Sequence, residues 1–237
     1  MKIFLFLLCF FISDLLFGQD FIINCDSEKV PYSNGNISNF SAVARLHYKE
    51  YKNIDIIPKA VQQSSQKYLQ KRLGQTFMKR ISFNGCFVIS KNDKTIVKPK
   101  AEIRYALQYS FNIQDGMKYY FTLAFDNLGH LLSSNQVPNI SDNPKSGNVQ
   151  GLCNVKNIAE KKSTLVGSIS NASLQYSDSV NYFIWQIDIT EDNKSKKTTP
   201  KIERIILNAN TGEFIKAEYL NVVSSCDGNV PPYPVLK

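Results

Sequence analysis

A strict alternation of apolar and other residues from Ile103 to Ile113 constrains the fold of this chain more than any other feature of its sequence. Every second position in this stretch is Ile, Leu, Tyr or Phe, and the positions between them are polar or small. Side chains of a strand alternate between the two faces of a sheet, so the pattern predicts a β-strand with one buried face. The alternation resumes from Tyr119 to Phe125 after the turn Gln114-Asp115-Gly116, which predicts an antiparallel hairpin.

Two segments carry the 3.6-residue period of an α-helix. The first runs from Pro58 to Leu73, where Pro58 suits the first turn and Gly74 suits the position after the last residue. Its predicted apolar stripe consists of Val61, Ser65, Tyr68, Leu69 and Leu73. The second and shorter pattern consists of Val155, Ile158, Ala159 and Lys162.

The two halves of the chain repeat one plan. Each half has one helical segment followed by strands, and its last two strands join at a tight Asn/Gly turn, FDNLGHLL in the first half and LNANTGEFI in the second. A helix with one apolar stripe and a sheet with one apolar face bury those surfaces against each other. The sequence therefore predicts an α+β fold of two tandem cystatin-like units, each with one helix packed on an antiparallel β-sheet.

The first 18 residues, MKIFLFLLCFFISDLLFG, have the order of a secretory signal peptide. Lys2 is followed by an unbroken apolar run from Ile3 to Ile12, and Gly18 offers a small residue for cleavage. The run is shorter than the roughly 20 apolar residues that a transmembrane helix needs. We therefore predict cleavage near Gly18, a secreted or periplasmic protein, and no membrane span in the mature form.

Composition divides the remainder of the chain. Residues 135–151 are rich in Pro, Gly, Asn and Ser, which favours a linker. The predicted organisation is a signal peptide at 1–18, a first helix-on-sheet domain at 19–134, the linker at 135–151, a second domain at 152–224 and an extended tail at 225–237.

Four cysteines follow the predicted leader: Cys25, Cys86, Cys153 and Cys226. An even number in an exported chain predicts disulfides, and no CxxC pair gives the spacing of a zinc or redox site. Four cysteines allow three connectivities. If the halves are separate domains, local pairing favours Cys25–Cys86 and Cys153–Cys226.

The second half resembles the PepSY family of small exported domains over about residues 152–222. The resemblance rests on the helix NVKNIAEKK, the strand VNYFIWQIDIT and the hairpin IERIILNANTGEFIKAEYL. In that hairpin Asn208 stands where the family usually has Asp, and the matching turn residues are Ala209, Thr211 and Gly212. The side chain at the first position accepts local backbone hydrogen bonds, and the glycine takes a left-handed conformation. The resemblance implies a binding or inhibitory module more than an enzyme.

Patterns typical of catalysis and metal binding are missing from the sequence. His47 and His130 lie far apart without a partner at metal-ligand spacing, and no GxSxG motif is present. The carboxylates of Asp188, Glu203 and Glu213 are interpreted as part of a solvated strand face rather than an acid/base pair. The sequence therefore predicts no catalytic residue, no metal ligand and no cofactor.

The aromatic residues and the charges both have structural interpretations. The aromatic residues on one face of the predicted hairpin, with their counterpart Trp185, are predicted to form the cores under the helices. They are Tyr105, Tyr109, Phe111, Tyr119, Phe121 and Phe125.

The net charge of +8 comes from scattered lysines. A nucleic-acid surface has a stripe of basic residues interleaved with aromatic residues, and the sequence lacks such a stripe, so no nucleic-acid binding is expected.

Together these patterns predict an exported, non-catalytic module that binds or inhibits another protein in the cell envelope or outside the cell. The alternative is a small-molecule or polysaccharide binder, or a hydrolase, that uses a cavity between sheet and helix. A deep pocket lined by Tyr with a His or paired carboxylates would favour the alternative, and a filled core would favour the first. The sequence leaves the oligomeric state open.

Overall fold

A computed structural model describes residues 20–25, 28–33, 48–89, 103–113, 117–133, 135–140, 144–192 and 200–220. The predicted signal peptide, Cys226 and the predicted tail lie outside these residues. The described strands are β1 (Asp20–Cys25), β2 (Glu28–Ser33), β3 (Tyr48–Tyr51), β4 (Ile81–Ile89), β5 (Tyr105–Asn112), β6 (Lys118–Phe125), β7 (Gly167–Ser177), β8 (Tyr182–Glu191), β9 (Ile202–Asn208) and β10 (Phe214–Leu220). The described α-helices are α1 (Lys59–Met78) and α2 (Leu152–Lys162).

The strands form a six-stranded sheet in the order β1-β2-β7-β8-β9-β10 and a four-stranded sheet in the order β3-β4-β5-β6. All neighbours pair antiparallel except β2 and β7, which run parallel, with Tyr32 opposite Ala172. The helix α2 contacts β1, β8, β9 and β10 of the six-stranded sheet. On the four-stranded sheet, the Ser65 hydroxyl of α1 lies 2.7 Å from the Tyr109 hydroxyl of β5.

The hairpin that the alternation predicts is present. The strands β5 and β6 pair antiparallel, with Leu107 opposite Leu123, Tyr109 opposite Phe121 and Phe111 opposite Tyr119. All six of these side chains are buried, so they form the core of this sheet, as the alternation predicts.

The helix α1 buries the predicted stripe except Tyr68, which is half-buried, and it is longer than predicted. Its buried residues are Val61, Ser65, Leu69, Leu73 and Phe77, which recur every four residues. Gly74 has a φ of 69° and kinks the helix instead of ending it, so one further turn places Phe77 against Phe111 with 5.2 Å between ring centroids. Glycine tolerates this positive φ because it has no Cβ.

The prediction of two tandem units, each with one helix on a sheet, is wrong. Among the described residues, strands dominate, and only two α-helices accompany the two sheets. The segment with β1 and β2, predicted to belong to the first unit, lies in the sheet with β7–β10. The physical reason is burial: Val30 and Tyr32 need an apolar surface, and the surface they meet belongs to the later strands.

One continuous aromatic core joins the two sheets. Phe183 of β8 lies against Phe111 and Tyr119, with centroid distances of 5.7 Å and 4.9 Å. Tyr32 meets the Trp185 ring edge to face at 5.9 Å, and its hydroxyl donates to the Lys118 carbonyl at 3.2 Å. We call this cluster the aromatic seam, and it makes the two sheets share one core rather than two separate ones.

The predicted cysteine pairing is also wrong. Cys25 of β1 is bonded to Cys153 of α2, so neither the bond Cys25–Cys86 nor the bond Cys153–Cys226 is present. Cys86 of β4 is a buried free thiol, and burial raises its pKa. The local pairing rule fails because β1 lies beside α2, which belongs to the other half of the sequence.

The residues predicted as a linker pack against the core. Gln136, Val137 and Val149 are buried. The hydroxyl of Tyr119 donates to the Gln136 carbonyl at 2.7 Å, and the Ile140 N–H donates to the Arg72 carbonyl at 2.6 Å. Over the described ranges, neither helix has the length and apolar character needed to cross a membrane.

Candidate functional site

The turn between β9 and β10 is built around Asn208. Its Oδ1 accepts hydrogen bonds from the backbone N–H of Asn210 at 2.9 Å and of Thr211 at 3.3 Å. The Gly212 N–H donates to the Asn208 carbonyl at 2.8 Å, and Gly212 has a φ of 73°. A side-chain acceptor and a left-handed glycine are the two features that the sequence of this turn requires.

The same turn holds the loop that leads into α2. The side-chain Nδ2 of Asn210 donates to the carbonyls of Lys145 at 2.6 Å and Asn148 at 2.5 Å. The Gln150 N–H donates to the Ala209 carbonyl at 2.8 Å, and the Gln150 Nε2 donates to the Asn210 carbonyl at 3.2 Å. The turn motif therefore fixes the position of residues 145–150.

A cleft of about 210 Å³ opens beside this loop, where the two sheets meet. We call it the turn cleft. Phe111, Ile113 and Val149 form the apolar part of its lining. The remaining lining residues are Arg80, Gly147, Asn148, Gln150 and Asn210.

Arg80 is the cation of the turn cleft. It is the second residue after the end of α1, and its backbone N–H donates to the Phe77 carbonyl at 2.9 Å. Its guanidinium carbon lies 4.6 Å from the centroid of the Phe77 ring, and its Nη2 donates to the Asn112 carbonyl at 3.1 Å. A guanidinium has five N–H donors, so this exposed side chain retains donors for an anion.

Asn210 contributes a buried acceptor to the cleft lining. Its Nδ2 is directed at the loop carbonyls, which orients its Oδ1 into a buried position without a hydrogen-bond partner in the described part of the chain. A buried acceptor left unsatisfied costs about 1–3 kcal/mol. The two hydrogen bonds from the Asn210 Nδ2 to the loop carbonyls offset this cost.

The carboxylates considered as an acid/base pair do not meet. Asp188 forms a two-point ion pair with Arg204, at 2.7 Å and 2.9 Å, and its neighbour Ile189 stands opposite Glu203. Because adjacent residues of a strand face opposite ways, Asp188 and Glu203 lie on different faces of the sheet. Glu213 lies exposed after the turn.

Glu203 holds the end of α2. Its carboxylate accepts hydrogen bonds from the Ser163 hydroxyl at 2.7 Å and from the Thr164 N–H at 2.8 Å. Burial opposes ionisation of Glu203, but these hydrogen bonds outweigh it and hold the pKa of the carboxyl below its usual range. Glu203 is therefore a structural carboxylate and not part of a solvated strand face.

The histidines bring no catalytic or metal-binding arrangement into the described part of the chain. His130 is exposed, and its Nδ1 lies 2.8 Å from the Asp126 Oδ2. His47 lies outside the described residues. No group of three His, Cys, Asp or Glu side chains within the described ranges is arranged to hold a metal ion.

Sequence reasoning missed two arginines, Arg80 at the turn cleft and Arg72 between the two halves. Arg80 carries no periodic signal, because its role depends on the loop that the turn motif brings to it. Arg72 lies between the rings of Tyr68 and Tyr176, and its Nη2 donates to the Tyr176 hydroxyl at 2.8 Å. The spacing of Tyr68 and Arg72 by four residues was a usable signal for a shared helix face, but it gave no indication of the partner on β7.

Comparison with known proteins finds no matching family model, no matching curated protein and no matching solved structure. The resemblance of residues 152–222 to PepSY domains therefore stays a prediction.

Proposed function

We propose that this chain is an exported, non-catalytic module that binds or inhibits another protein in the cell envelope or outside the cell. The signal-peptide pattern supports export with cleavage near Gly18. The bond between Cys25 and Cys153 agrees with an oxidising compartment. The PepSY-like hairpin supports a binding role for the second half.

The turn cleft is the observation that carries this proposal. Its volume of about 210 Å³ lies below the roughly 300–1,000 Å³ of sites that enclose small ligands. A space of this size suits one side chain inserted from a partner. It therefore favours protein binding over the alternative of a small-molecule or polysaccharide site.

The chemistry of the turn cleft selects an acidic side chain. The methylene groups of an inserted Glu would contact Phe111, Ile113 and Val149, and its carboxylate would pair with Arg80 at the rim. The net charge of +8 assists the approach of an acidic partner. Because Arg80 is exposed, salt would weaken this binding.

Affinity capture from the exported fraction of cells that express the protein tests this function. The bait with Arg80→Ala should lose the partner that the wild-type bait retains, with a dissociation constant raised about tenfold for one charged hydrogen-bonded pair. Lys79→Ala is the matched control, because Lys79 is an exposed neighbouring cation that does not line the cleft. Repeated captures that recover no protein would contradict the proposal.

A further inference from the structure

The strand β10 ends the six-stranded sheet, and no further strand pairs with its outer edge among the described residues. Its apolar side chains are exposed, by 38% for Phe214, 42% for Ile215 and 58% for Tyr219. An antiparallel ladder uses only part of the backbone groups of its last strand, so the rest of these N–H and C=O groups point outwards. We call this outer edge the β10 edge. Free backbone groups beside exposed apolar side chains suit the addition of another strand.

The charges of β10 match those of a second copy that runs in the opposite direction. The strand reads FIKAEYL, with Ala217 at its centre. When two copies run antiparallel with Ala217 opposite Ala217, Lys216 of each copy stands opposite Glu218 of the other. Opposite charges directly across an antiparallel pair are stabilising, and like charges are destabilising.

The apolar residues of β10 match in the same register. Ile215 stands opposite Tyr219 of the second copy. This cross-strand pair joins an aliphatic to an aromatic side chain, which is a favourable combination in sheets. The bulge of β10 lies between Phe214 and Lys216, so the stretch from Lys216 to Leu220 keeps regular pairing.

We propose that two copies of the protein associate by antiparallel pairing of their β10 edges about a two-fold axis through Ala217. The two six-stranded sheets then form one continuous sheet, and the interface is the same patch on both copies. This inference is independent of the turn cleft and of the partner proposed for it.

The faces of the sheet agree with this arrangement. Lys216 and Glu218 pair with Ile206 and Arg204 of β9, so both charges lie on the face with Arg204. Tyr219 lies on the face that carries α2, where its hydroxyl is 2.6 Å from the Thr164 hydroxyl. A two-fold axis perpendicular to the sheet keeps each face continuous, so the charged pairs meet on the face with Arg204 and Tyr219 meets its partner on the face with α2.

Two other pairings fit less well. A parallel copy of β10 in register would place Lys216 opposite Lys216 and Glu218 opposite Glu218. The strand β1, at the other end of the same sheet, has Asp20 as its one charged residue. It therefore has no lysine or arginine that could stand opposite Glu218 of β10. The β10 edge therefore favours an antiparallel second copy.

Charge reversal at Lys216 and Glu218 tests the pairing. Sedimentation velocity of the mature protein over a range of concentrations should show a monomer–dimer equilibrium for the wild type. Within one copy the Lys216 Nζ lies 2.7 Å from the Glu218 Oε2, so the pairing of two copies brings two such ion pairs together into a cluster of four alternating charges. Lys216→Glu and Glu218→Lys each give all four charges one sign, so each should raise the dimer dissociation constant about tenfold or more. The double variant K216E/E218K should return the dimer dissociation constant to the wild-type value.

Mixing the two single variants gives the sharper measurement. In a mixed pair every position 216 again stands opposite a residue of opposite charge at position 218. The mixture should therefore form dimers at concentrations where each variant alone is monomeric. A dimer dissociation constant that these charge reversals leave unchanged would overturn the proposal. A wild-type protein that stays monomeric at the highest concentration reached would overturn it as well.

Two control variants locate the interface. Lys49→Glu reverses an exposed charge on β3, an edge strand of the other sheet, and should leave the dimer unchanged. Arg80→Ala should also leave it unchanged, so failure of the dimer and failure of the proposed cleft are distinguishable. Loss of dimer in Lys49→Glu would assign the association to β3 and contradict the role of β10.

Discussion

Glu203 shows how one residue can look like a functional group and serve the fold. Glu203 is 2% exposed, and its carboxylate accepts four hydrogen bonds from the turn that follows α2, among them those from the Ser163 hydroxyl and the Leu165 N–H. A buried carboxylate without such donors would be costly. Here the donors make the ionised form the stable one, so Glu203 ties β9 to the end of the helix.

This arrangement predicts a specific dependence of stability on pH. The pKa of Glu203 is lower in the folded state than its ordinary value of 4.5, so the unfolded chain binds the proton more tightly. The stability it contributes is present above pH 4.5 and is lost as the pH falls through the lower, folded-state pKa. Urea unfolding should show that Glu203→Gln loses about 1–3 kcal/mol at pH 7 and has a flatter acid limb than the wild type.

A matched control for this experiment is Glu213→Gln. Glu213 is exposed, and its side chain has no hydrogen bond to the turn around it among the contacts described. The free energy of unfolding of the Glu213→Gln variant should equal that of the wild type at every pH. An acid limb in Glu203→Gln as steep as that of the wild type would show that other carboxyl groups cause the pH dependence.

At the scale of elements, the bond between Cys25 and Cys153 joins the first strand to the second helix. The two residues are 128 positions apart in the sequence. Among the described strands, β1 lies at one end of its sheet and has one neighbour, β2. The disulfide therefore attaches a strand that pairs with a single strand in the described part of the chain.

Removing this bond should cost much of the stability of the protein. In the chain-entropy model a closed loop of this length contributes about 5 kcal/mol. We expect the double variant with Cys25→Ala and Cys153→Ala to lose up to this amount in urea unfolding and to become insensitive to reductant. The variant Cys86→Ala should stay sensitive to reductant, because it keeps the bond.

Peptide mapping without reduction checks the pairing itself. It should find the peptide with Cys25 bonded to the peptide with Cys153. A bond between Cys25 and Cys86 would contradict the structure and restore the pairing that local sequence distance favours.

Elements were predictable from the sequence where the signal was local. The alternation before and after Gln114-Asp115-Gly116 was enough to predict the hairpin of β5 and β6, because both strands bury the same face. The place of β2 was not predictable, because its parallel neighbour β7 lies far along the chain. Gly74 shows a further limit: a glycine that suits the end of a helix also suits a kink, and only the burial of Phe77 decides between them.

At the scale of the whole molecule, the aromatic seam makes the two sheets depend on each other. Phe183 is fully buried, and its ring neighbours come from both sheets. Unfolding either sheet alone would expose this cluster to water, at roughly 25 cal/mol for each Å² of apolar area. Two sheets that share such a core unfold together.

The chain contains its own probes of this cooperativity. Trp185, the single tryptophan, reports on the six-stranded sheet through its fluorescence, and the buried thiol of Cys86 reports on the four-stranded sheet through its reactivity. In a Cys226→Ser background, both signals should change at the same urea concentration, as in a two-state transition. Reactivity of Cys86 while Trp185 still has its native fluorescence would show two separate units.

The candidate site was only partly predictable, because it is assembled from distant segments. The geometry of the turn follows from Asn208 and Gly212 alone, since it needs only local hydrogen bonds and one left-handed glycine. The cleft requires in addition that the loop before α2 meet the end of α1. Nothing in the sequence around Arg80 or Gln150 indicates that contact.

Cys86 lies between Cys25 and Cys153 in the sequence, so the disulfide joins two cysteines that are not consecutive. This order has a consequence for biogenesis. Cys25 and Cys86 are synthesised before Cys153, so an oxidant that acts on the growing chain meets these two thiols first. Oxidation in order of appearance joins the first two, and the native fold requires that bond to be broken by thiol–disulfide exchange. A cell that oxidises the growing chain would therefore need a means to exchange disulfides, or to delay the first oxidation until α2 has been synthesised.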